Sequence, residues 1–467
     1  MVFSTYIFIF VYLPLTLLVY YAIPFRFRAL WLVVSSYIFY GWLVPSYCIL
    51  MATSSAINYY CGHFMIRAKT PGMKKFWLWT AIVGSLGLLG FYKYAGMFSY
   101  WANNLASLFV TPESGTNIIP ILEITLPIGI SFFTFQALSY PIDLYRGDAR
   151  QAPNFIYFAS YIALFPQLIA GPIVRYQWIA DELQYRTHTA AKFALGLRFF
   201  AIGLAKKVML ADLFALAVPI AFGDHQPTFE MAWIGIIGYS LQIYFDFSAY
   251  SDMAVGLGLL MGFTFPQNFN SPYKSASITE FWRRWHITLS TWLRDYLYIP
   301  LGGNRKGEGR TYINLTIVML LGGLWHGASI VFMLWGLWHG LLLALERALR
   351  EDHPLNRMPR SVAVMFTNLL VILGWVLFRA ENFEQAGRVF KGMFFMLPSF
   401  TLPVEYLSLG LILSLPLGYI ICLYAKNSWE MTARMTPTLA LRDSALLALS
   451  ILVVMANRTT PFLYFQF

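Results

Sequence analysis

Long apolar runs, broken by short polar turns, fill the chain from end to end. They occupy roughly residues 4–23, 29–44, 46–66, 76–92, 193–222, 229–246, 312–325, 330–348, 362–378, 407–424 and 441–456. Runs near 126–140, 154–174 and 252–265 are shorter or interrupted. A helix crossing the hydrocarbon of a bilayer needs about 20 residues, so the pattern predicts roughly ten to thirteen spans. The shorter runs predict re-entrant or protein-buried segments, because irregular backbone at membrane depth survives only against protein or a cavity. The stretch from Phe165 to Pro172 reads as such a break. No internal repeat, linker or low-complexity segment interrupts the pattern. The expected fold is an all-α polytopic membrane protein, one multi-pass domain over 1–467.

Composition sharpens this picture. Of 467 residues, 58% are hydrophobic, 18% aromatic and only 12% charged. Soluble domains carry about 25% charged residues. A water-soluble fold could not cover so much apolar surface, and lipid as the solvent removes the problem. The net charge of +11 is carried by basic residues in short loops between apolar runs. That distribution fits cytoplasmic loops facing anionic lipid, and it suits an anionic donor such as a coenzyme A thioester. Nucleic acid is not the expected partner.

Arg26 and Arg28 follow the first run, and Arg67, Lys69, Lys74 and Lys75 follow the third. The positive-inside bias then puts these loops in the cytoplasm and the N-terminus in the periplasm, with Lys93 after the fourth run arguing the other way. The first run lacks a basic start and a small-residue cleavage site, which predicts a retained span. Cys48, Cys61 and Cys422 lie in or beside apolar runs, with neither disulfide nor metal spacing.

Candidate chemistry centres on Gly322-Gly323-Leu324-Trp325-His326-Gly327-Ala328. An ionisable residue deep in an apolar run is costly unless it faces a cavity or a partner. Imidazole accepts a proton near neutral pH, and attack of a hydroxyl on a thioester needs such a base. Gly322, Gly323 and Gly327 would let a substrate chain approach the backbone. The alternative is a structural histidine bonded to a neighbouring helix.

His286 lies in Phe281-Trp282-Arg283-Arg284-Trp285-His286-Ile287-Thr288-Leu289-Ser290. Read as one helix, this segment places Trp282, Trp285 and Leu289 on one face at the membrane interface. Arg283, Arg284 and Arg294 are candidates for donor phosphates or for lipid headgroups. Asp246 is a candidate partner for one of those arginines or for an imidazole, and Asp252 reads as a helix cap. His339 repeats the Trp-His-Gly of 325–327 thirteen residues on and faces either the same cavity or the core. His63, His188, His225 and His353 have no metal-ligand spacing. Phosphate-binding glycine loops, nucleophile elbows and redox pairs are absent, which leaves ATPases, hydrolases and oxidoreductases without support.

Taken in order, these segments resemble the membrane-bound O-acyltransferase family, and within it the bacterial alginate O-acetyltransferase branch. The residues are Leu126 to Phe132, Tyr145-Arg146-Gly147-Asp148, Leu168 to Pro172, Tyr244 to Asp252, Phe281 to His286, Asn304-Arg305 and Gly322 to Ala328. The resemblance covers about 3–348. The region after about 379 departs from it by being shorter.

What the resemblance implies is a ring of tilted transmembrane and re-entrant helices around a central tunnel. The core would lie at about 126–348, with C-terminal helices at about 362–456. The family's invariant histidine falls on His326, and a second, often polar, position falls on His286. The expected activity is O-acetylation of an exported polysaccharide, alginate first, at the bacterial inner membrane. The same core also serves cellulose and other exopolysaccharides. The donor would be acetyl-CoA or another acetyl thioester, with no bound cofactor or metal. The partners would be membrane lipid, periplasmic acetyltransferase or relay proteins, and the polysaccharide synthesis and export machinery. Trp325, Asp246, His339 and the three arginines are the donor-side candidates. A transporter or a non-catalytic scaffold is the rival class, and neither needs a base between glycines.

Overall fold

The apolar runs become helices in the computed structural model of the chain. It describes residues 1–109, 117–349, 358–395, 408–456 and 462–463; His353 lies outside them. Among the described residues the structure is helical, with no strand. The chain, expected as one domain, divides into two compact units interleaved in sequence. The first holds Met1, Tyr12–His188 and Met261–Thr264; the second holds Val2–Val11, Thr189–Leu260 and Phe265–Phe467.

In the first unit, α1 (Leu13–Ala22), α2 (Phe25–Gly41), α3 (Tyr47–Arg67) and α4 (Pro71–Ala106) precede α5 (Ile130–Arg146). They are followed by α6 (Phe155–Ala163), α7 (Phe165–Leu168) and α8 (Tyr176–Gln184). The expected break is present between α6 and α7, where Leu164 turns to φ −50°, ψ 105°. Phe165 to Leu168 are fully buried. The Phe165 N–H donates to Ser36 Oγ at 3.1 Å, and Gln167 Nε2 to the Tyr161 carbonyl at 2.9 Å. Irregular backbone is thus satisfied inside protein, the condition for holding it at membrane depth.

Lys93 corrects the orientation argument. It lies inside α4 rather than in a loop after it, buried, with Nζ donating to Ser131 Oγ at 3.1 Å. It therefore says nothing about which side a loop faces.

In the second unit, α9 (Ala190–Ala205) runs into a π-helical turn at Lys206–Ala211, then α10 (Asp212–Ala215), α11 (Val218–Phe222) and α12 (Phe229–Leu260). After α13 (Ile278–Arg284) and α14 (Ile287–Leu293) come α15 (Glu308–His326), α16 (Ile330–Ala348) and α17 (Arg360–Arg379). The unit ends with α18 (Phe383–Phe394), α19 (Leu409–Tyr424), α20 (Ser428–Thr432) and α21 (Pro437–Ala456).

Two kinds of apolar helix emerge. α4, α16, α17 and α21 are long and apolar enough to cross a bilayer, and Phe8–Ala22 and α19 are shorter apolar helices. α4 turns Trp79, Val83, Phe91 and Phe98 outward, a face suited to lipid. α12 is the opposite case, with every residue from Ile243 to Leu260 buried. The C-terminal part of α12, from Ile243 to Leu260, is therefore core rather than a lipid-facing span. With several apolar helices and outward apolar side chains, and helices alone among the described residues, the molecule is a membrane protein.

Candidate active site

The predicted 281–290 helix is two helices. α13 ends at Arg284, Trp285 is extended (φ −98°, ψ 128°), and α14 starts after His286. The cause is the 268–270 segment, which lies alongside. The Asn270 N–H donates to the Arg284 carbonyl and the Ile287 N–H to the Asn268 carbonyl, both at 2.9 Å. These bonds replace helical ones, and His286 takes φ +43°, a left-handed value that non-glycine residues adopt rarely. Trp285, 3% exposed, is therefore core and does not join an interfacial belt.

The break turns His286 inward, where it is fully buried. Its Nδ1 lies 3.1 Å from Asn268 Oδ1, which also accepts the Thr288 N–H (3.2 Å) and hydroxyl (2.9 Å). An amide oxygen only accepts, so His286 carries its proton on Nδ1 and keeps the lone pair on Nε2.

His326 occupies the last position of α15. The α15–α16 hairpin that positions it is closed by glycines. A Cβ on Gly323 would run into the Phe332 carbonyl, one on Gly336 into the Met319 carbonyl, and one on Gly327 into the Phe332 ring. Gly322 faces Leu293. These glycines bring two helices together. The structure does not turn them toward space for a substrate chain, which corrects the role expected for them.

The three inward histidines share one aromatic cluster. Trp325 stands 6.1 Å from His286 and 4.9 Å from His326, ring centre to ring centre. His326 meets Trp335 edge-on at 5.2 Å and Phe378 at 5.0 Å. Trp335 in turn lies 5.2 Å from His339. The order is thus His286, Trp325, His326, Trp335, His339. Accessibility separates them, since His326 keeps 7% of its surface while His286 and His339 keep none. His339 Nδ1 accepts the Trp282 indole N–H at 3.3 Å, so its Nε2 carries the proton, directed at the bare Cα of Gly374. A fully enclosed ring in that tautomer is a wall of the cluster and has no surface to offer a donor.

The arginines separate as well. Arg283 and Arg294 line a cavity of about 410 Å³ with Trp282, Ile287, Leu315 and Met319. Arg283 is exposed. Arg294 is held by Asp295 at 2.6 Å, a bond that raises its guanidinium pKa. Arg284 turns elsewhere, to Glu280 at 2.9 Å and the Asn270 carbonyl at 3.0 Å. Trp282 connects the two regions, forming cavity wall on one side and bonding His339 on the other.

Asp246 belongs to another neighbourhood. It pairs with Lys207 at 2.6 Å and accepts the Leu463 N–H at 2.7 Å, with no arginine of 283–294 as partner. Asp252 is not a cap. It sits in the body of α12, paired with Lys206 at 2.7 Å and Ser428 at 2.5 Å. The π-helical turn widens the helix at Lys206 and Lys207, and both ammonium groups bond to carboxylates of α12. Three groups central to this geometry escape sequence reasoning. Lys206 and Lys207 hide inside an apolar run, Asn268 sits in an unremarkable loop, and Phe378, with Trp375 stacked on Trp335 at 5.9 Å, comes from a helix distant in sequence. Among the described residues no cluster could hold a metal ion.

The site thus holds a nearly buried imidazole at the end of a glycine-closed helix pair, and Trp282 joins its aromatic cluster to a cavity lined by two arginines. Sequence comparison agrees with this geometry. The model of MBOAT, the membrane-bound O-acyltransferase family, matches residues 146–380, which contain all three histidines and both cavity arginines. The chain is 46% identical to the probable alginate O-acetylase AlgI of Pseudomonas aeruginosa, over 84% of this chain and 75% of that one. It is 43% identical to the corresponding protein of Pseudomonas putida over the full length of both, so the alignment runs through the C-terminal region expected to depart. A peptidoglycan O-acetyltransferase of Helicobacter pylori is 37% identical over 84% of this chain and 80% of its own. The chain belongs to the membrane-bound O-acyltransferase family and is an O-acyltransferase.

Proposed function

We propose that this enzyme transfers acetyl groups from a cytoplasmic acetyl thioester to an exported polysaccharide, as a multi-pass protein of the bacterial inner membrane. Alginate is the polymer that the AlgI relatives favour. The reading rests on one observation: of the three histidines in the aromatic cluster, only His326 retains accessible surface.

In this mechanism an acceptor hydroxyl, on polymer or on a periplasmic relay protein, gives its proton to His326. Its oxygen attacks the acetyl carbonyl and forms the new ester bond. The carbon–sulfur bond breaks, and the departing thiolate recovers the proton from the imidazolium. Trp325, Trp335 and Phe378 exclude water from the ring and fix its direction. Arg283 and Arg294 offer cations to the phosphates of a coenzyme-like donor at the cavity. Acetyl-CoA is the simplest such donor. The polysaccharide synthesis and export machinery supplies the acceptor. The Helicobacter relative favours a second reading, the same chemistry on another polymer such as peptidoglycan.

The test is to express wild type and His326→Ala at equal membrane levels and measure polymer-bound acetate. Loss of acetate supports the assignment, and undiminished acetylation refutes it.

A further inference from the structure

A second cationic site lies in the first unit, far in sequence from the histidines. Arg186, 7% exposed, follows α8. Its Nε donates to the Tyr20 hydroxyl at 2.5 Å, and Nη1 donates to the carbonyls of Glu182 (3.1 Å) and Leu183 (3.0 Å). Its Nη2 is buried and bonds to nothing among the described residues. Arg28, on α2, stands over the same Tyr20 ring at 4.9 Å, with Nη1 3.5 Å from both ring nitrogens of His188. Its Nε is likewise buried without a hydrogen-bond partner.

Neither guanidinium forms an ion pair among the described residues. The nearby Glu182 carboxylate is turned to the Thr264 N–H at 2.8 Å. The Tyr20 hydroxyl donates to the Met261 carbonyl at 2.7 Å and so only accepts from Arg186. Phe25 and Phe263 cover the Arg186 guanidinium at 5.2 and 4.6 Å. Two guanidiniums, Arg186 held by neutral oxygens and Arg28 by the His188 ring, both against aromatic faces and with N–H groups left over, have no carboxylate partner among the described residues, the anion that such a group ordinarily meets when buried.

We propose that Arg28 and Arg186 bind a phosphate group. Planar guanidinium forks match phosphate oxygens, and the unused Nη2 and Nε hydrogens supply donors for it. Tyr21 and Phe25, whose rings lie 5.6 Å from the Arg28 guanidinium, are exposed, as are Leu18, Phe27 and Leu30 nearby in sequence. Such a rim suits a phosphate at the head of acyl chains, so a phospholipid headgroup is the source the surface favours, with a free phosphate as the other.

The full chain, purified in detergent and stripped of lipid, is titrated with three probes: short-chain phosphatidylglycerol, the diacylglycerol of the same chains, and inorganic phosphate. Binding is followed by calorimetry and native mass spectrometry. Phosphatidylglycerol binds, diacylglycerol does not, and Arg28→Gln weakens binding about tenfold. Phosphatidylglycerol binding tighter than inorganic phosphate assigns the lipid, and equal affinity assigns a free phosphate. Arg28→Gln carries the test because this half-buried residue makes no backbone bond, whereas Arg186→Gln removes two carbonyl contacts and can unfold the chain. Arg67→Gln, at an exposed residue elsewhere, leaves affinity unchanged. Failure of both phosphate probes, or equal binding by wild type and Arg28→Gln, overturns the site.

Discussion

Two buried polar regions of the second unit solve the same problem in opposite ways. Along α12 and the helices of the same unit, charges are buried in pairs: Lys207 with Asp246 and Asp212, Lys206 with Asp252, and, between α9 and α21, Arg198 with Asp443 at 2.6 Å. Around α15 and α16, the buried polar rings are imidazoles packed against indoles and phenyl groups. A paired charge is held in place by its counter-ion and is expensive to disturb. The imidazoles are instead enclosed by neutral aromatic faces. On the proposed function, the difference separates a framework from the reaction centre within one apolar interior.

The largest expected effect lies at the reaction centre. His326→Ala is expected to lower acetylation by about 10²–10⁴-fold, the range for loss of a positioned general base. Its unfolding temperature in detergent should change little, because aromatic neighbours close around the gap. A large loss of folded protein with proportionate activity would move His326 into the framework class.

The framework gives the next effect. Lys207→Ala leaves Asp246, 2% exposed, without its cation, at a cost of about 3–5 kcal/mol. Thermal unfolding in detergent measures it. Lys207→Met with Asp246→Leu removes both charges and should recover most of that stability. Activity per folded molecule should then match wild type. If the double variant folds but fails to acetylate, the pair serves the chemistry and the contrast between the two regions fails.

Gly323→Ala probes the join between framework and chemistry. The new methyl meets the Phe332 carbonyl, so α15 and α16 must part slightly, at about 1–3 kcal/mol. Because His326 ends α15, kcat should fall more than stability alone accounts for. Gly309→Ala, where a Cβ meets nothing within 4 Å, is the control and should behave as wild type.

Much of this was legible in the chain itself. Apolar runs marked the helices, and the break at Phe165 was signalled by its proline and glycine. His326 stood out because an imidazole inside an apolar run is rare. What escaped has a common cause. Periodicity along one segment is blind to a partner from another: the 268–270 segment that breaks the 281–290 helix, or the α12 carboxylates that draw Lys206 and Lys207 inward. Trp375 and Phe378 complete the aromatic cluster from a helix whose sequence shows only lipid-compatible hydrophobicity. Asp246 was expected to pair with an arginine of the 283–294 stretch or with an imidazole, but a lysine hidden in an apolar run is the partner.

The smallest effect belongs to the half-buried counterpart of the α12 pairs. Glu280 on α13 meets Arg284 at 2.9 Å and Arg360 at 3.3 Å, and its other oxygen accepts the Ala276 N–H at 2.8 Å. Partial burial raises its pKa, but the Ala276 bond and the two arginines outweigh that and hold it below 4.5. A carboxyl depressed by folding adds stability that is complete above its unfolded pKa and fades as pH falls through the folded one. Stability should therefore hold from neutral pH down to about 4.5 and then decline, with Glu280→Gln removing that part of the decline. Water and salt screen the pair, so the difference should be only about 0.3–0.5 kcal/mol and shrink in high salt, while the Lys207 effect persists. Equal salt sensitivity at Glu280 and Lys207 would mean that water reaches α12, and the pairs there would then lose the burial that sets them apart.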